Sequence, residues 1–267
     1  MPQLAPLARI ALGREKMSRS STNRRTGLAR ALSKLGYCSR SSAWGLTKRG
    51  KVRVNGQVIR DPEAPVVLGK DRIEVAGKDI REAPRIYLML NKPRGMVTTA
   101  RDEKGRDTVY SLLPESRPWL APVGRLDKAS EGLLLMTNDM QWAARIAAPE
   151  SHLDKTYHVQ INAAVGRDIV EHLTRGVRAK DGELLSAKRA AVLRAGEKNC
   201  WLEIVLDEGK NRQIRRMLEA LGLEVLRLVR VAMGRLCLGD LAKGKIRELT
   251  AREVSSLSQM PHKTVSE

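Results

Sequence analysis

Leu133, Leu134, Leu135 and Met136 are consecutive apolar residues in a chain that is 30% charged, and a run without a polar face fits only where both of its sides are covered. Asn138-Asp139 ends the run and Gly132 precedes it, so the stretch predicts a short buried strand. Just upstream, Gly124-Arg125-Leu126-Asp127-Lys128 places one acid in a basic loop, with Gly124 and Gly132 making the turns around it. Asp127 therefore rides on a loop held by a rigid core element. That position suits chemistry, although a solvated or helix-capping Asp is the plainer reading of such a residue.

The partner class follows from charge. The chain has 267 residues with 49 Lys and Arg against 30 Asp and Glu, a formal net charge of +19. Such a field attracts polyanions, which makes nucleic acid the first expectation and an anionic membrane surface the second. No apolar stretch approaches the roughly 20 residues that span a bilayer. Cys38, Cys200 and Cys237 are widely spaced, which suits a reducing compartment rather than a disulfide framework. The four His residues, 152, 158, 172 and 262, are scattered too, so no metal site is expected. There is no dinucleotide loop or Walker motif, and no cofactor is expected.

Residues 1–26 are rich in Arg and Ser with Glu15 as the lone acid, and read as a basic, disordered tail in contact with RNA. The same composition suits an organelle transit peptide, and Met17 is a possible alternative start. The expected compartment is the cytoplasm, with organelle targeting left open.

Residues 27–76 predict a small module. Leu28, Leu32 and Leu35 recur at helical spacing, Ser39 caps a second helix through Thr47, and Val52–Val54 and Val58-Ile59 form a hairpin around Asn55-Gly56. Ile73–Val75 adds a strand. Lys34, Arg40, Lys48, Arg49, Lys51 and Arg53 form its basic surface. Residues 77–84 are polar and end in Pro84, a linker about which the module can reorient.

From Ile86 the chain alternates strands and short helices. An apolar strand to Leu90 leads into the turn Asn91-Lys92-Pro93-Arg94-Gly95, and Val97-Thr98 can begin a further strand. Met140–Ala147 predicts an amphipathic helix. Lys155–Ile161 has period two, with Tyr157, Val159 and Ile161 on one face. Ala190–Leu193 and Trp201–Leu206 read as antiparallel strands. Asn211 is a possible cap for a helix whose apolar stripe is Ile214, Met217, Leu218 and Leu221. At about 100° per residue Arg215 sits beside that stripe, while Arg212 and Arg216 point outward. Glu224–Val231 alternates as another strand whose Arg227 and Arg230 are expected to add to the basic surface, and Ser255–Glu267 lacks a core pattern.

Several of these pieces carry a resemblance. Gly124-Arg125-Leu126-Asp127 with Glu131-Gly132-Leu133-Leu134-Leu135 resembles the catalytic motif of the ribosomal RNA pseudouridine synthases, in the group that modifies one or a few uridines of small-subunit or large-subunit ribosomal RNA. Asn91, Lys92, Pro93 and Gly95 match a second motif of that family, Lys155 and Tyr157 a third, and Gly209, Asn211, Arg212, Gln213, Ile214 and Arg215 a fourth. Leu35–Arg40 and Gly50–Gly56 resemble the S-four-like (alpha-L) RNA-binding domain, with Ser41 and Ser42 following where relatives commonly carry a second Arg. Ser130 stands where many relatives have Thr.

The resemblance implies an α+β fold, with the S-four-like domain at 27–76, linker 77–84, a catalytic domain at 85–254 on a mixed, mainly antiparallel sheet with flanking helices, and tails at 1–26 and 255–267. It implies isomerisation of uridine to pseudouridine in ribosomal RNA or a pre-ribosomal particle. Asp127 would be the nucleophile, Tyr157 would stack on the target base, and Arg215 would pair with Asp127. Asn91, Lys92, Arg94, Arg125, Lys155, Arg212 and Arg216 are expected to contact RNA, as are the six basic residues of the small module, with the protein a monomer. Two other readings stand beside this one. A ribosome assembly factor would grip RNA without catalysis, and a hydrolase using Asp127 would want a second acid or a metal beside it.

Overall fold

The computed structural model describes residues 25–100, 102–114, 118–164 and 166–258. Most of the basic tail and residues 259–267 lie outside the described residues.

The small domain folds as its periodicities require. β1 (Thr26–Gly27) leads into α1 (Leu28–Lys34), and α2 (Arg40–Lys48) follows, with Ser39 Oγ accepting from Ser42 N as its N-cap. β2 (Val52–Val54) and β3 (Gln57–Ile59) form the expected hairpin. Asn55 and Gly56 both have positive φ, 50° and 83°, as this two-residue turn demands. β4 (Pro65–Val66) pairs with β1, and β5 (Ile73–Val75) joins β2. Leu28, Leu32, Ala43, Val52, Ile73 and Val75 are buried together as one core.

The expected linker is partly structure. Lys78–Asp79 forms β6 against β5, and Ile80 packs on the small-domain core. Ala83 N donates to Leu35 O at 3.2 Å, while the Asn138 side chain binds Pro84 O and Ile86 N, each at 2.8 Å. A backbone bond on the small-domain side and the Asn138 side chain on the other thus pin the joint that the sequence left loose.

In the large domain β7 (Tyr87–Lys92), β8 (Ala121–Val123) and β9 (Glu131–Thr137) come first, then α3 (Met140–Ala147), β10 (Lys155–Ile161) and α4 (Arg167–Arg175). A two-residue hairpin pair follows, β11 (Val177–Arg178) with β12 (Leu184–Leu185), then β13 (Arg189–Ala195), β14 (Cys200–Leu206) and α5 (Gln213–Ala220). β15 (Val225–Met233), β16 (Leu236–Cys237), β17 (Ile246–Glu248) and α6 (Ala251–Ser258) complete the described chain. Nine strands form one sheet in the order β13-β14-β10-β15-β9-β7-β17, with β16 beside β15 and β8 beside β9. Its pairs are antiparallel except β15 with β9, so the sheet is mixed and mainly antiparallel as expected.

β9 explains its own sequence. All seven of its residues are buried; Leu133 and Leu135 pack into one core with Trp142 and Ile146, while Leu134 and Met136 pack into another with Leu90 and Leu120. At Gly132, φ is 100° and an added Cβ would lie 2.3 Å from Arg230 O, so β9 and β15 meet there only because the residue is glycine.

Three boundaries differ from expectation. Val97 forms only an isolated bridge with Thr108. α5 begins one residue late, because Arg212 rather than Asn211 occupies the N-cap, in left-handed backbone (φ 48°) and without a side-chain cap. The region from Ser255 is not wholly tail, since α6 runs to Ser258 and buries Leu257 against Trp142 and Ile146.

Candidate active site

Asp127 stands on the loop between β8 and β9, and that loop is fastened through its backbone. Lys92, the last residue of β7, is fully buried and donates from Nζ to the carbonyls of Pro93 (3.1 Å), Asp127 (3.1 Å) and Ser130 (2.8 Å). Burial pushes its ammonium down to about 8, against the opposing charges of Asp127 and Glu131. Thr98 Oγ1 donates to Leu126 O at 2.7 Å, and Gly95 N to Lys128 O at 2.8 Å. From α5, Arg215 donates Nη2 to Ala129 O at 3.1 Å and Nη1 to Val225 O at 3.4 Å. The backbone from 126 to 130 is therefore fixed from two sides, and the Asp127 side chain, 40% exposed, is left facing open space.

That space is a cavity of about 570 Å³ whose wall includes Arg125, Lys155, Tyr157, Arg212, Arg215 and Arg230 beside Asp127. Tyr157 is half-buried and packs against the cores on both sides of the cleft, opposite Arg230 in the β10–β15 register. Lys155 donates to Asp207 O at 3.3 Å; burial, followed by the charge of Arg230, pushes its ammonium down. Another cavity of about 580 Å³ lies where the two domains meet, lined by Leu35, Arg72, Arg85 and Asp139 and away from Asp127.

The structure corrects several residue assignments. Among the described residues Arg215 makes no ion pair with Asp127, and Asp127 is not buried. The ion pair comes from Arg212, whose Nη1 lies 3.7 Å from Asp127 Oδ2 with both groups well exposed, so it contributes little to stability. Lys92 cannot meet phosphate from its buried position, and Asn91 is buried as well, donating to Leu241 O at 2.6 Å. Arg216 points outward but is already bound to Asp181 and Glu183. Arg94 and Arg125 are exposed, Arg94 donating to Leu226 O at 3.2 Å. Lys34, Arg40, Lys48, Arg49, Lys51 and Arg53 are all exposed on the small domain and do not line the Asp127 cavity.

Sequence reasoning missed the holding role of Lys92 and Thr98, and its placement of Arg230 on the basic surface is overturned, because that residue is buried. Arg230 is 4% exposed and donates Nε to Leu133 O at 2.8 Å. The alternation of β15 carried the signal, because it puts Arg230 on the same buried face as Leu228 and Ala232. It missed Trp44 too, 45% exposed on α2 with the Lys48 ammonium 5.9 Å from its ring centre.

A family model described as RNA pseudouridylate synthase matches residues 86–220, a span that holds Asp127, Tyr157 and Arg215 together. Ribosomal large subunit pseudouridine synthase B of Bacillus subtilis (strain 168) is 37% identical over 231 residues, 86% of this chain and 94% of that protein. The chain belongs to the RNA pseudouridylate synthase family. A second model, for the S4 domain, matches residues 26–73 of the synthase. Ribosomal large subunit pseudouridine synthase B of Pseudomonas aeruginosa is 38% identical over 243 residues, 87% of this chain and 61% of that one. A solved structure entitled "Crystal structure of pseudouridylate synthase" superposes with a TM-score of 0.62 at 28% identity, covering 87% of the synthase and 99% of that chain. Among the described residues no group of three or more His, Cys, Asp and Glu is placed to hold a metal ion, and no helix is long and apolar enough to cross a membrane.

Proposed function

We propose that the synthase isomerises uridine to pseudouridine in ribosomal RNA of the large subunit, with Asp127 as the nucleophile. The observation that carries this reading is the Asp127 carboxylate on a backbone-fixed loop, opening into a cavity of about 570 Å³, lined also by Glu208, beside an aromatic ring and several cations. The reaction exchanges the bond from C1′ to N1 for one from C1′ to C5; a proton leaves C5 and one is gained at N1. No redox change or group donor is needed. A base paired and stacked in RNA cannot reach a side chain, so the uridine must flip into the cavity, where Tyr157 offers a ring to stack on. Arg125 and Arg212, exposed at the mouth, suit the flanking phosphates, and the basic face of the small domain suits RNA further away. The protein acts as a cytoplasmic monomer on ribosomal RNA or a pre-ribosomal particle.

The reading as a non-catalytic assembly factor explains the cations and leaves the fastened Asp127 loop without a purpose. Asp127→Asn is the test. Pseudouridine formation in an rRNA fragment should vanish while RNA affinity stays within a few fold, because binding is spread over many basic contacts. Turnover by D127N at the wild-type rate would remove Asp127 from the chemistry.

A further inference from the structure

Arg230 is a buried cation without a full set of partners. Its Nε donates to Leu133 O at 2.8 Å, whereas its buried Nη2 has no hydrogen-bond partner among the described residues. It lines the same cavity as Asp127 and stands opposite Tyr157 across the β10–β15 pair. Leaving a buried, charged donor unpaired is costly, and such a group calls for a catalytic role or for a partner that enters from outside the fold. Lys155 adds a second cation to the same wall.

Phosphate, ribose and base oxygens all enter such a cleft with a flipped uridine, and of these only the phosphate and base oxygens carry or take on negative charge for a cation to meet. The exposed guanidinium groups of Arg125 and Arg212 serve the mouth. Arg230 lies on a central strand of the sheet, against the ring that would hold the base, and there the uracil oxygens are the acceptors within reach.

We propose that Arg230 donates to a uracil carbonyl oxygen and stabilises the negative charge that the base takes on when the glycosidic bond breaks. The inference rests on the synthase reading above. If the carboxylate attacks the sugar, the electron pair of the C1′–N1 bond departs with the uracil and spreads from N1 onto O2 and O4. If it adds to C6 instead, the pair of the C5–C6 double bond moves onto O4 through C5. Either way the charge appears on the exocyclic carbonyl oxygens; the pair returns to carbon as C5 bonds to C1′, the carboxylate is released from C1′ or from C6, the C5 proton is lost to solvent and N1 takes one up. A fixed cation aimed at that position accelerates the step more than it tightens binding.

The experiment compares Arg230→Gln and Arg230→Lys with wild type in single-turnover reactions on one rRNA fragment at saturating enzyme. R230Q retains an amide donor for Leu133 O and removes the charge. Its rate should fall by about 10²-fold, with RNA affinity and salt slope unchanged, and R230K should recover at least tenfold of that loss. The same fragment carrying 5-fluorouridine at the target supplies the readout that a structural defect would not move. Fluorine at C5 withdraws electrons and lowers the charge the protein must stabilise, so the R230Q deficit in glycosidic cleavage should shrink about tenfold on it. A rate for R230Q within threefold of wild type overturns the proposal. So does an equal deficit on both substrates, which marks a structural residue, or a loss confined to affinity and salt slope, which marks a phosphate contact. Should R230Q not fold, the same two-substrate comparison is made with R230K, whose displaced charge should give a smaller deficit that shrinks likewise. Failure of wild type to modify any rRNA fragment would instead refute the synthase reading itself.

Discussion

Replacing Lys92 by Met isolates what a buried lysine does beneath an active-site loop. Met is similar in length and unbranched, so the substitution removes the ammonium with little change in shape. Two opposing terms set the stability change. Burial lowers the lysine from 10.5 to about 8, which at about 1.4 kcal/mol per unit means roughly 3 kcal/mol of destabilisation that Met relieves. Against that, the carbonyls of Pro93, Asp127 and Ser130 lose their donor, at about 1–3 kcal/mol each where no water replaces it. The carbonyl term is the larger, and K92M should be less stable by roughly 3 kcal/mol in urea melts at neutral pH. Turnover should fall by about 10²-fold or more, because a carboxylate displaced by about 1 Å loses its aligned attack.

The pH dependence separates the two terms. With a folded value near 8 and an unfolded value of 10.5, the unfolded chain holds more protons between those limits, so this group makes stability rise with pH across that window. The gap between wild type and K92M should therefore widen from pH 7.5 to pH 10. Had Lys92 been a phosphate contact, K92M would instead lower the salt slope of RNA binding by about one and leave turnover at saturation intact. That pattern, or full activity and stability in K92M, would refute the loop-holding role.

Arg215→Met should destabilise by about 1–3 kcal/mol and slow turnover, since Ala129 O and Val225 O both lose a donor, whereas Arg212→Ala should leave the urea midpoint unchanged and weaken binding and turnover; paired melts and kinetics check both. Glu131 is buried between Arg227 and Lys243, and although burial pushes its carboxyl up, those two cations hold it below the usual range. E131Q should lose about 1–3 kcal/mol at neutral pH, below the cost of breaking a fully buried pair because Arg227 and Lys243 are themselves partly exposed, and the gap to wild type should close as pH falls below about 4.5, where protonation of the wild-type carboxylate removes the same contribution; urea melts from pH 7 to 3 test this. A chain beginning at residue 84 should modify the same rRNA fragment with at least about tenfold weaker apparent affinity and an unchanged rate at saturation, because the tethered small domain raises effective concentration at the site; an unchanged affinity in titrations would assign the small domain to another partner.

Much of the site was legible because sequence periodicity is a direct image of burial. The apolar run of β9 told of a strand covered on both faces, and the stripe of α5 placed Ile214, Met217 and Leu218 in the core with Arg215 at its edge. The pairing of Arg215 with Asp127 was taken from the resemblance, whereas the outward placement of Arg212 came from helical rotation and fails for a definite reason. A rotation of 100° per residue holds only inside the helix, and Arg212 lies outside it in left-handed backbone, which turns its side chain back toward Asp127. Lys92 was illegible because β7, like β9, is buried on both faces from Leu88 onward, so alternation gives no side on which a terminal lysine must lie.

Arg230 is the opposite case. Strand alternation puts it between Leu228 and Ala232 on the covered face of β15, where an aliphatic side chain would pack without penalty. A sequence that satisfies every other level of the fold and breaks the pattern at one buried position incurs a desolvation penalty there, and natural proteins concentrate such violations at functional sites. The bond to Leu133 O offsets part of that penalty, and the Nη2 without a partner among the described residues leaves the rest uncompensated. A polar group that enters the Asp127 cavity offsets the remainder, and in the proposed reaction that group is the uracil carbonyl.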